Sequence, residues 1–539
     1  MKPLNAKKRT LPALGQLERI HRTTYSTQQK NLAKPARIKP LNLFPATRDI
    51  RMQKHFRSMF FWILTASTLA SSALSAAATQ NNAVDSKPHI ILVMADDQGW
   101  GQTGYYNHPL LQTPHLDAMA SNGLRFDHFY AGAPVCSPTR ASVLTGRSND
   151  RTGVQSHGYA LRRQEITIAS ILKEAGYATG HFGKWHLNGI RGPGVPILKH
   201  DTHHPGVFGF ETWLSVTNFF DMDPILSRVG DFEEYRGDSS EIIVQQAIEF
   251  IDQKHRQQPT FTVIWFGSPH DPAKASEQDC KAFQELDEKS KNHHGELVAM
   301  DRSIGTLFSE LAKRNLKDKA LVWFCSDNGG LPKIKPSTVG TLRGNKGTIF
   351  EGGLRVPGII HWPSRIEQPR VTQFPAGVLD IVPTLLEITH LQHTDPTRPL
   401  DGISLFPLFN NDIKERQQPI PFRHINRAAW IHNDYKLLTQ DLKKEKFELY
   451  NLVKDPSEST DLAKELPDKL LAMREQFSAW NESVEESVQG KDYPEKKLMP
   501  GDPEPRFWTD MPEYEPYFNQ WKKRWEYQSR LNQKPRVKR

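Results

Sequence analysis

Cysteine is scarce in this chain. Three cysteines among 539 residues exclude a disulfide scaffold and any Cys-rich zinc module. No structural disulfide is expected. Cys325 lies within a buried-strand pattern, Cys280 in a polar helical stretch and Cys136 in a motif of its own. An excess of one charge is also missing from the body of the protein. The net +9 arises in residues 1–58, which hold 14 Lys and Arg against two acids, Glu18 and Asp49. The remainder carries 56 basic and 59 acidic residues, so the basic balance does not point to nucleic acid as a partner. No internal repeat is visible. With 37% hydrophobic and 24% charged residues, the composition is that of a folded globular chain rather than a disordered one.

Strongly apolar runs are lacking except for one, MFFWILTASTLASSALSA at 59–76. Arg51, Lys54 and Arg57 precede it and Ala76-Ala77-Ala78 close it. Basic, apolar and small-residue regions in that order describe a secretory signal peptide. The alternative is a retained single-helix anchor, but the run is short and rich in Ser and Thr for a membrane span. The expectation is export to the periplasm or outside the cell, a signal peptide over 52–78, a mature chain from about 77–79 and no stable membrane span after processing. Residues 1–51 read as a basic extension, disordered or placed before the true start.

From residue 88 onward, apolar runs alternate with helical segments. HIILVMADD (89–97), TFTVIWFGSPH (260–270) and ALVWFCSDNGG (320–330) are apolar strands that end in polar residues. Helices are expected over 113–123, 166–176, 239–254 and 296–315. This pattern predicts an α/β fold with a mostly parallel sheet and helices on both faces. Ligands bind beyond the carboxyl ends of such strands, so Asp96, Asp97, His270, Asp327 and Asn328 should gather at one edge. The texture changes near residue 415. We expect a large domain over 87–414, a small antiparallel α+β domain over 415–490 with a helix at about 458–484, and an aromatic, Pro-rich tail over 491–539. In that tail Trp508, Trp521 and Trp525 need burial.

The most informative stretch is PVCSPTRASVLTGR. Cys136 precedes a helix start with Pro138 in the first turn, and free helix N–H groups suit an anion. The bland alternative is a buried thiol on an ordinary helix. The stretch resembles the C-x-P-x-R…T-G signature of the type-I, formylglycine-dependent sulfatases of arylsulfatase A-like kind. GYATGHFGKWH (176–186) is similar to that family's second signature. DDQGWG (96–101), SPHDP (268–272), CSDNGG (325–330), LRGNKGTIFEGGLRVP (342–357) and LYNLVKDPSESTDLA (449–463) resemble its other blocks in order.

The resemblance implies an alkaline-phosphatase-like fold and hydrolysis of sulfate esters. It implies that a formylglycine-generating maturation enzyme converts Cys136 to an aldehyde, whose hydrate attacks sulfur and then expels sulfate. Asp96, Asp97, Asp327 and Asn328 are hard oxygen donors, suited to Ca²⁺ or Mg²⁺ rather than Zn²⁺, although solvated acids at strand ends are the plain alternative. The family reading is one Ca²⁺, with the modified Cys136 completing the shell. Lys184 and Lys346 would bind sulfate, His186 the formylglycine hydroxyl, and Arg140 would hold its geometry; His270 would protonate the leaving alcohol. Lys184 and His186, two apart on a strand or extended loop, should face one side. Asn218, Asp221 and Asp271 are candidate substrate contacts, whereas the pairs His203-His204 and His293-His294 read as loop and helix-start residues. A phosphate or phosphonate monoester hydrolase of the same superfold is the alternative, but it would favour Ser or Thr and His-rich zinc sites. Trp213, Phe219 and Phe220 among acids suit sugar rings, so the expected substrate is a sulfated carbohydrate, with aryl sulfates as generic substrates.

Overall fold

The computed structural model describes residues 87–532. The apolar run, the basic extension and the expected cleavage site lie outside them. Among the described residues no helix is long and apolar enough to cross a membrane.

Strand β1 (His89–Ala95) is the centre of the molecule. Its residues alternate between two cores: Ile90, Leu92 and Met94 enter one, Ile91, Val93 and Ala95 the other. A strand covered on both faces must be apolar at every position, which is why this segment reads as a continuous run. Strands β2 (Leu124–Tyr130) and β3 (Ala178–Lys184) follow, then the two-residue β4 (Ile190–Arg191) outside the main sheet. The sheet continues with β5 (Thr212–Val216), β6 (Ile225–Arg228), β7 (Asp231–Glu234), β8 (Thr260–Trp265) and β9 (Ala320–Ser326). It closes with β10 (Arg355–His361), β11 (Arg370–Thr372) and β12 (Ala376–Gly377). These make an 11-stranded sheet ordered β11-β2-β10-β9-β1-β8-β3-β5-β6-β7, with β12 also on β2. β1 runs parallel to β8 and β9, and β3 parallel to β8 and β5. β10 is antiparallel to both its neighbours, so the sheet is mixed and mostly parallel, as the alternation predicted.

Helices cover both faces. Cys136–Thr145, Ile168–Glu174 and Ile381–Thr389 pack on one core, Ser239–Lys254 and Glu288–Lys313 on the other. The helix expected over 239–254 has those bounds and is capped by Asp238, whose carboxylate accepts from the Ser240 and Glu241 N–H groups. The helix expected from 296 begins at Glu288 instead, because Asp287 caps it two turns earlier. His293 and His294 therefore lie inside a helix, buried. Cys280 sits in a turn, not a helix, and all three cysteines are free.

A second sheet, β13 (Ile420–His424), β14 (Arg427–His432), β15 (Tyr435–Thr439) and β16 (Glu448–Asn451), is antiparallel throughout. The helix Pro467–Val488 packs on it through Met473 and Phe477 against Trp430, Leu437 and Leu449. The sequence expectation started this helix at about 458, but the Asp455 carboxylate accepts from the Ser459 and Thr460 N–H groups, folding that segment into a turn, and Pro467 opens the helix. The tail adds β17 (Arg506–Phe507), paired parallel with β4. Trp508, Tyr514, Trp521 and Tyr527 then bury against Ile190, Val195, Leu198 and Ile225. Trp525 is only half-buried, beneath the Lys274 ammonium.

Candidate active site

β1 and β9 are adjacent, parallel and in register, Ala95 opposite Ser326. Their last residues therefore deliver Asp96-Asp97 and Asp327-Asn328 to one point. The Asp97 N–H donates to Asp327 Oδ1 at 3.1 Å, and Asn328 Nδ2 donates to Asp97 Oδ1 at 2.7 Å. Asp97 has φ 71°, a left-handed turn that ends the strand and folds its carboxylate back. Asp96, Asp97 and Asp327 are buried and offer oxygens within 4.8 Å of one another. Burial and the charge of Asp96 push the Asp327 carboxyl up against the pull of Arg140. Burial also pushes Asp97 up, but Lys346 and His270 hold it below its ordinary value. Three carboxylates in one dry pocket repel, and only cations offset that.

Cations arrive from three directions. Lys184 ends β3, and its Nζ lies 2.5 Å from Asp96 Oδ2. Gly183 just before it has φ +105°, and a Cβ there would stand 2.0 Å from the Trp265 carbonyl of β8, so only glycine lets this strand end approach its neighbour. Lys346 sits in the Gly-rich loop, 2.6 Å from Asp97. Arg140, one turn into the helix that Cys136 begins, is fully buried. It donates to Asp327 Oδ2 through Nη2 at 2.6 Å and Nε at 3.1 Å, and to the Lys184 carbonyl at 3.1 Å. Its guanidinium lies 5.1 Å from the Trp265 ring. Cys136 is itself 2% exposed, and its sulfur groups with Asp96 and His270. Burial pushes its thiol up despite Lys184 and Lys346, so as a cysteine it is a thiol, not a nucleophilic thiolate.

His186 reaches the same pocket by a route the sequence reading did not foresee. β3 stops at Lys184, and His186 has φ 55°, so strand alternation does not place it. The left-handed turn does. Its N–H donates to the Thr217 carbonyl at 3.0 Å, and its buried ring nitrogens have no hydrogen-bond partner. Burial, then Lys184 and Arg140, push its imidazole well below the ordinary range. His270 follows β8. Its Nδ1 donates to the Asp271 carbonyl at 2.7 Å, which turns Nε2 toward Asp97 Oδ2 at 3.7 Å. Phe219 stacks on it, ring centroids 4.5 Å apart and planes 6° apart.

The other candidate contacts separate. Asn218 spends its Nδ2 on the Gly192 carbonyl at 2.7 Å. Asp221 lies against Glu296, and burial pushes both carboxyls well above the ordinary range. Asp271 faces solvent with Lys289 at 3.0 Å. Trp213 and Phe220 belong to the core, leaving Phe219 as the half-buried aromatic of that trio. His157 lies within Coulombic reach of Arg191, Lys346 and Lys184. Sequence reading missed both, since neither falls in a block of matched residues.

The donor set is oxygen only, and two of its buried oxygens, Asp96 Oδ1 and Asn328 Oδ1, have no hydrogen-bond partner. Orphaned carboxylate and amide oxygens beside two further carboxylates fit a hard divalent cation such as Ca²⁺.

Residues 88–391 match the family described as Sulfatase, and residues 344–479 match the N-sulphoglucosamine sulphohydrolase C-terminal family. The chain is 31% identical over 369 residues to N-acetylgalactosamine-6-sulfatase of Canis lupus familiaris, covering 62% of this chain and 68% of that protein. It is 32% identical over 371 residues to arylsulfatase A of Homo sapiens, covering 63% and 71%. Among solved structures it resembles Ps i-CgsB in complex with k-i-k-neocarrahexaose, with 25% identity, a TM-score of 0.67 and coverage of 83% of this chain and 99% of that one. The match over most of the large sheet, joined to a buried cysteine among cations and carboxylates, makes this chain a member of the sulfatase family, a hydrolase of sulfate esters.

Proposed function

We propose that this protein is an exported sulfatase that removes sulfate from carbohydrate, using formylglycine made from Cys136 and one Ca²⁺ held by Asp96, Asp97, Asp327 and Asn328. The observation that carries the reading is the convergence of Cys136 with Lys184, Lys346, His270 and the carboxylates. A buried thiol is a poor nucleophile, and formylglycine supplies a hydrated aldehyde oxygen in its place. Bound Ca²⁺ supplies Lewis acidity and offsets sulfate charge.

The chain's own side chains do the rest. Lys184 and Lys346 face the sulfate oxygens and stabilise the charge that grows on them. Arg140 fixes Asp327 from the side away from substrate. His186, neutral through burial, accepts or donates a hydrogen bond at the oxygen on residue 136. Burial, then Lys346 and Lys184, push the His270 imidazole well below its ordinary range, while Asp97 and the Asp271 carbonyl on Nδ1–H pull the other way; it is the imidazolium, favoured further by a bound sulfate, whose Nε2 gives a proton to the departing alcohol. Carbohydrate is supported by the half-buried ring of Phe219 stacked on His270 and by relatives named for amino-sugar sulfates. Export to the periplasm or beyond is supported by the basic, apolar and small-residue pattern of residues 51–78.

The test is sulfate release from sulfated galactose and amino-sugar oligosaccharides and from aryl, steroid and choline sulfates. It is paired with mass spectrometry of the tryptic peptide 126–140. Formylglycine at residue 136 and turnover of saccharides are expected. Cys136→Ser, made in a host whose maturation enzyme accepts only cysteine, should fold and lose about 10³-fold or more in kcat. An unmodified cysteine in fully active protein would remove the mechanism. Turnover confined to choline or steroid sulfate would remove the carbohydrate.

A further inference from the structure

Most cations buried near the Cys136 helix have an acid. Arg147 pairs with Glu165 and Asp492, Arg151 with Asp401, and Arg423 with Asp150. Beside the sulfate end of the site the pattern breaks. Among the described residues Arg191 has no carboxylate partner. Its side chain lies against Gly158 and 5.8 Å from the Tyr159 ring, and its Nε is buried without a hydrogen bond. A Cβ at Gly158 would stand 2.4 Å from Arg191 Cγ, so glycine is what admits the side chain. His157, the exposed residue before Gly158, has no acid partner either. Desolvation and then the positive charges of Arg191, Lys346 and Lys184 hold its imidazole below its ordinary value. From the second sheet come His424, within Coulombic reach of His157, and Arg427, whose Nη2 is 3.1 Å from His424 Nδ1. His424 Nε2 is buried with no partner.

The cluster is built, not incidental. The Gly158 N–H donates to Ser137 Oγ at 2.8 Å, so the loop that carries His157 is pinned to the neighbour of the nucleophile. β17 of the tail pairs Phe507 opposite Arg191 and holds that residue in place. The Arg191 guanidinium is thus left without a carboxylate beside imidazoles that burial and neighbouring positive charge keep neutral, and a ligand that brings negative charge supplies the missing partner. A guanidinium and imidazoles suit a sulfate or carboxylate.

We propose that His157, Arg191 and the His424–Arg427 pair form a second anion subsite, which binds a second sulfate or carboxylate on the same sugar as the reactive sulfate or on the one beside it. The enzyme then selects multiply anionic glycans over singly sulfated ones. This inference rests on the sulfatase reading above.

The experiment compares kcat/KM on 4-nitrophenyl sulfate, a monosulfated disaccharide, its disulfated counterpart and a monosulfated disaccharide containing a uronic acid. Wild-type protein should prefer one of the two dianionic sugars to the monosulfated one by about tenfold, the worth of one charge-assisted contact. Which of the two it prefers identifies the second anion. Arg191→Gln and the exposed His157→Ala should each cut that preference to about threefold or less, mainly through KM, and Arg191→Lys should restore part of it. Their loss on the dianionic sugar should exceed their loss on 4-nitrophenyl sulfate, which has no second anion. Active wild-type protein with no preference for either dianion overturns the subsite and leaves the sulfatase reading intact. Equal losses on all substrates also overturn it, because the residues would then act on the fold or on the first sulfate. No sulfate release from any substrate overturns both readings.

Discussion

His270 is aimed by its neighbours rather than by its own strand. The Asp271 carbonyl accepts a hydrogen bond from Nδ1–H and Phe219 covers one face of the ring, so a single nitrogen is left for chemistry. A proton donor matters only as much as the leaving group needs it. A sugar hydroxyl leaves poorly as an alkoxide, whereas 4-nitrophenolate leaves readily without a proton. His270→Ala should therefore lower kcat on a saccharide sulfate by about 10²- to 10⁴-fold and lower it far less on 4-nitrophenyl sulfate. Side-by-side steady-state kinetics on the two substrates checks this. Equal losses on both would make His270 a sulfate ligand or a charge partner of Asp97 instead. Arg140 acts at the same scale but through structure, since two of its three hydrogen bonds go to one carboxylate oxygen of Asp327 and the third to the Lys184 carbonyl.

At the scale of elements, the second sheet braces the loop that carries Lys346. The helix Glu351–Leu354 begins just after that loop. Glu351 accepts from Tyr130 Oη at 3.0 Å and from Lys436 Nζ of β15 at 3.0 Å. Lys436 also meets Glu458 at 2.9 Å, and all three ionic side chains are fully buried. Burial pushes Glu458 up despite Lys436, which among the described residues is the one cation this pair of acids has within salt-bridge distance beyond the longer Arg355 contact. Lys436→Met should destabilise the protein by about 3–5 kcal/mol, the cost of leaving buried acids without their partner, and urea unfolding reads it directly. Unchanged stability would mean that the buried acids do not depend on Lys436. None of this bracing was legible in the sequence, because Tyr130, Glu351, Lys436 and Glu458 are joined only by folding. What was legible is of a different kind. Apolar runs ending in Asp96-Asp97 and Asp327-Asn328 imply their own meeting once the strands are parallel neighbours. The Cys136 helix carries its site residues within two turns. His186 was placed on the right side for the wrong reason, since a left-handed residue leaves no trace in a periodicity of two. Arg191 went unnoticed because its position depends on β17, more than 300 residues further along the chain.

At the scale of the whole molecule, two sets of buried groups pull the pH dependence of stability in opposite directions. Burial lowers His89, His108, His128, His361 and His424 to about 4. Between about 4 and the ordinary 6.5 the unfolded chain protonates these rings and the native state does not. Their stabilisation is therefore complete above 6.5 and is lost as the pH falls through that window. Burial raises Asp150, Asp238 and Asp301 to about 6. Here the native state holds protons that the unfolded chain releases, so these acids favour the fold at low pH and lose that contribution as the pH rises through about 6. The imidazoles should prevail. Burial also holds His181, His186, His270 and His293 well down, which makes nine imidazoles against seven acids once the raised Asp221, Glu296, Asp327 and Glu458 are added. The unfolding midpoint should therefore drop as the pH is taken from about 7 to about 5 at constant ionic strength, and calorimetry across that range measures it. A midpoint that rises on acidification would show that the buried carboxyls outweigh the imidazoles.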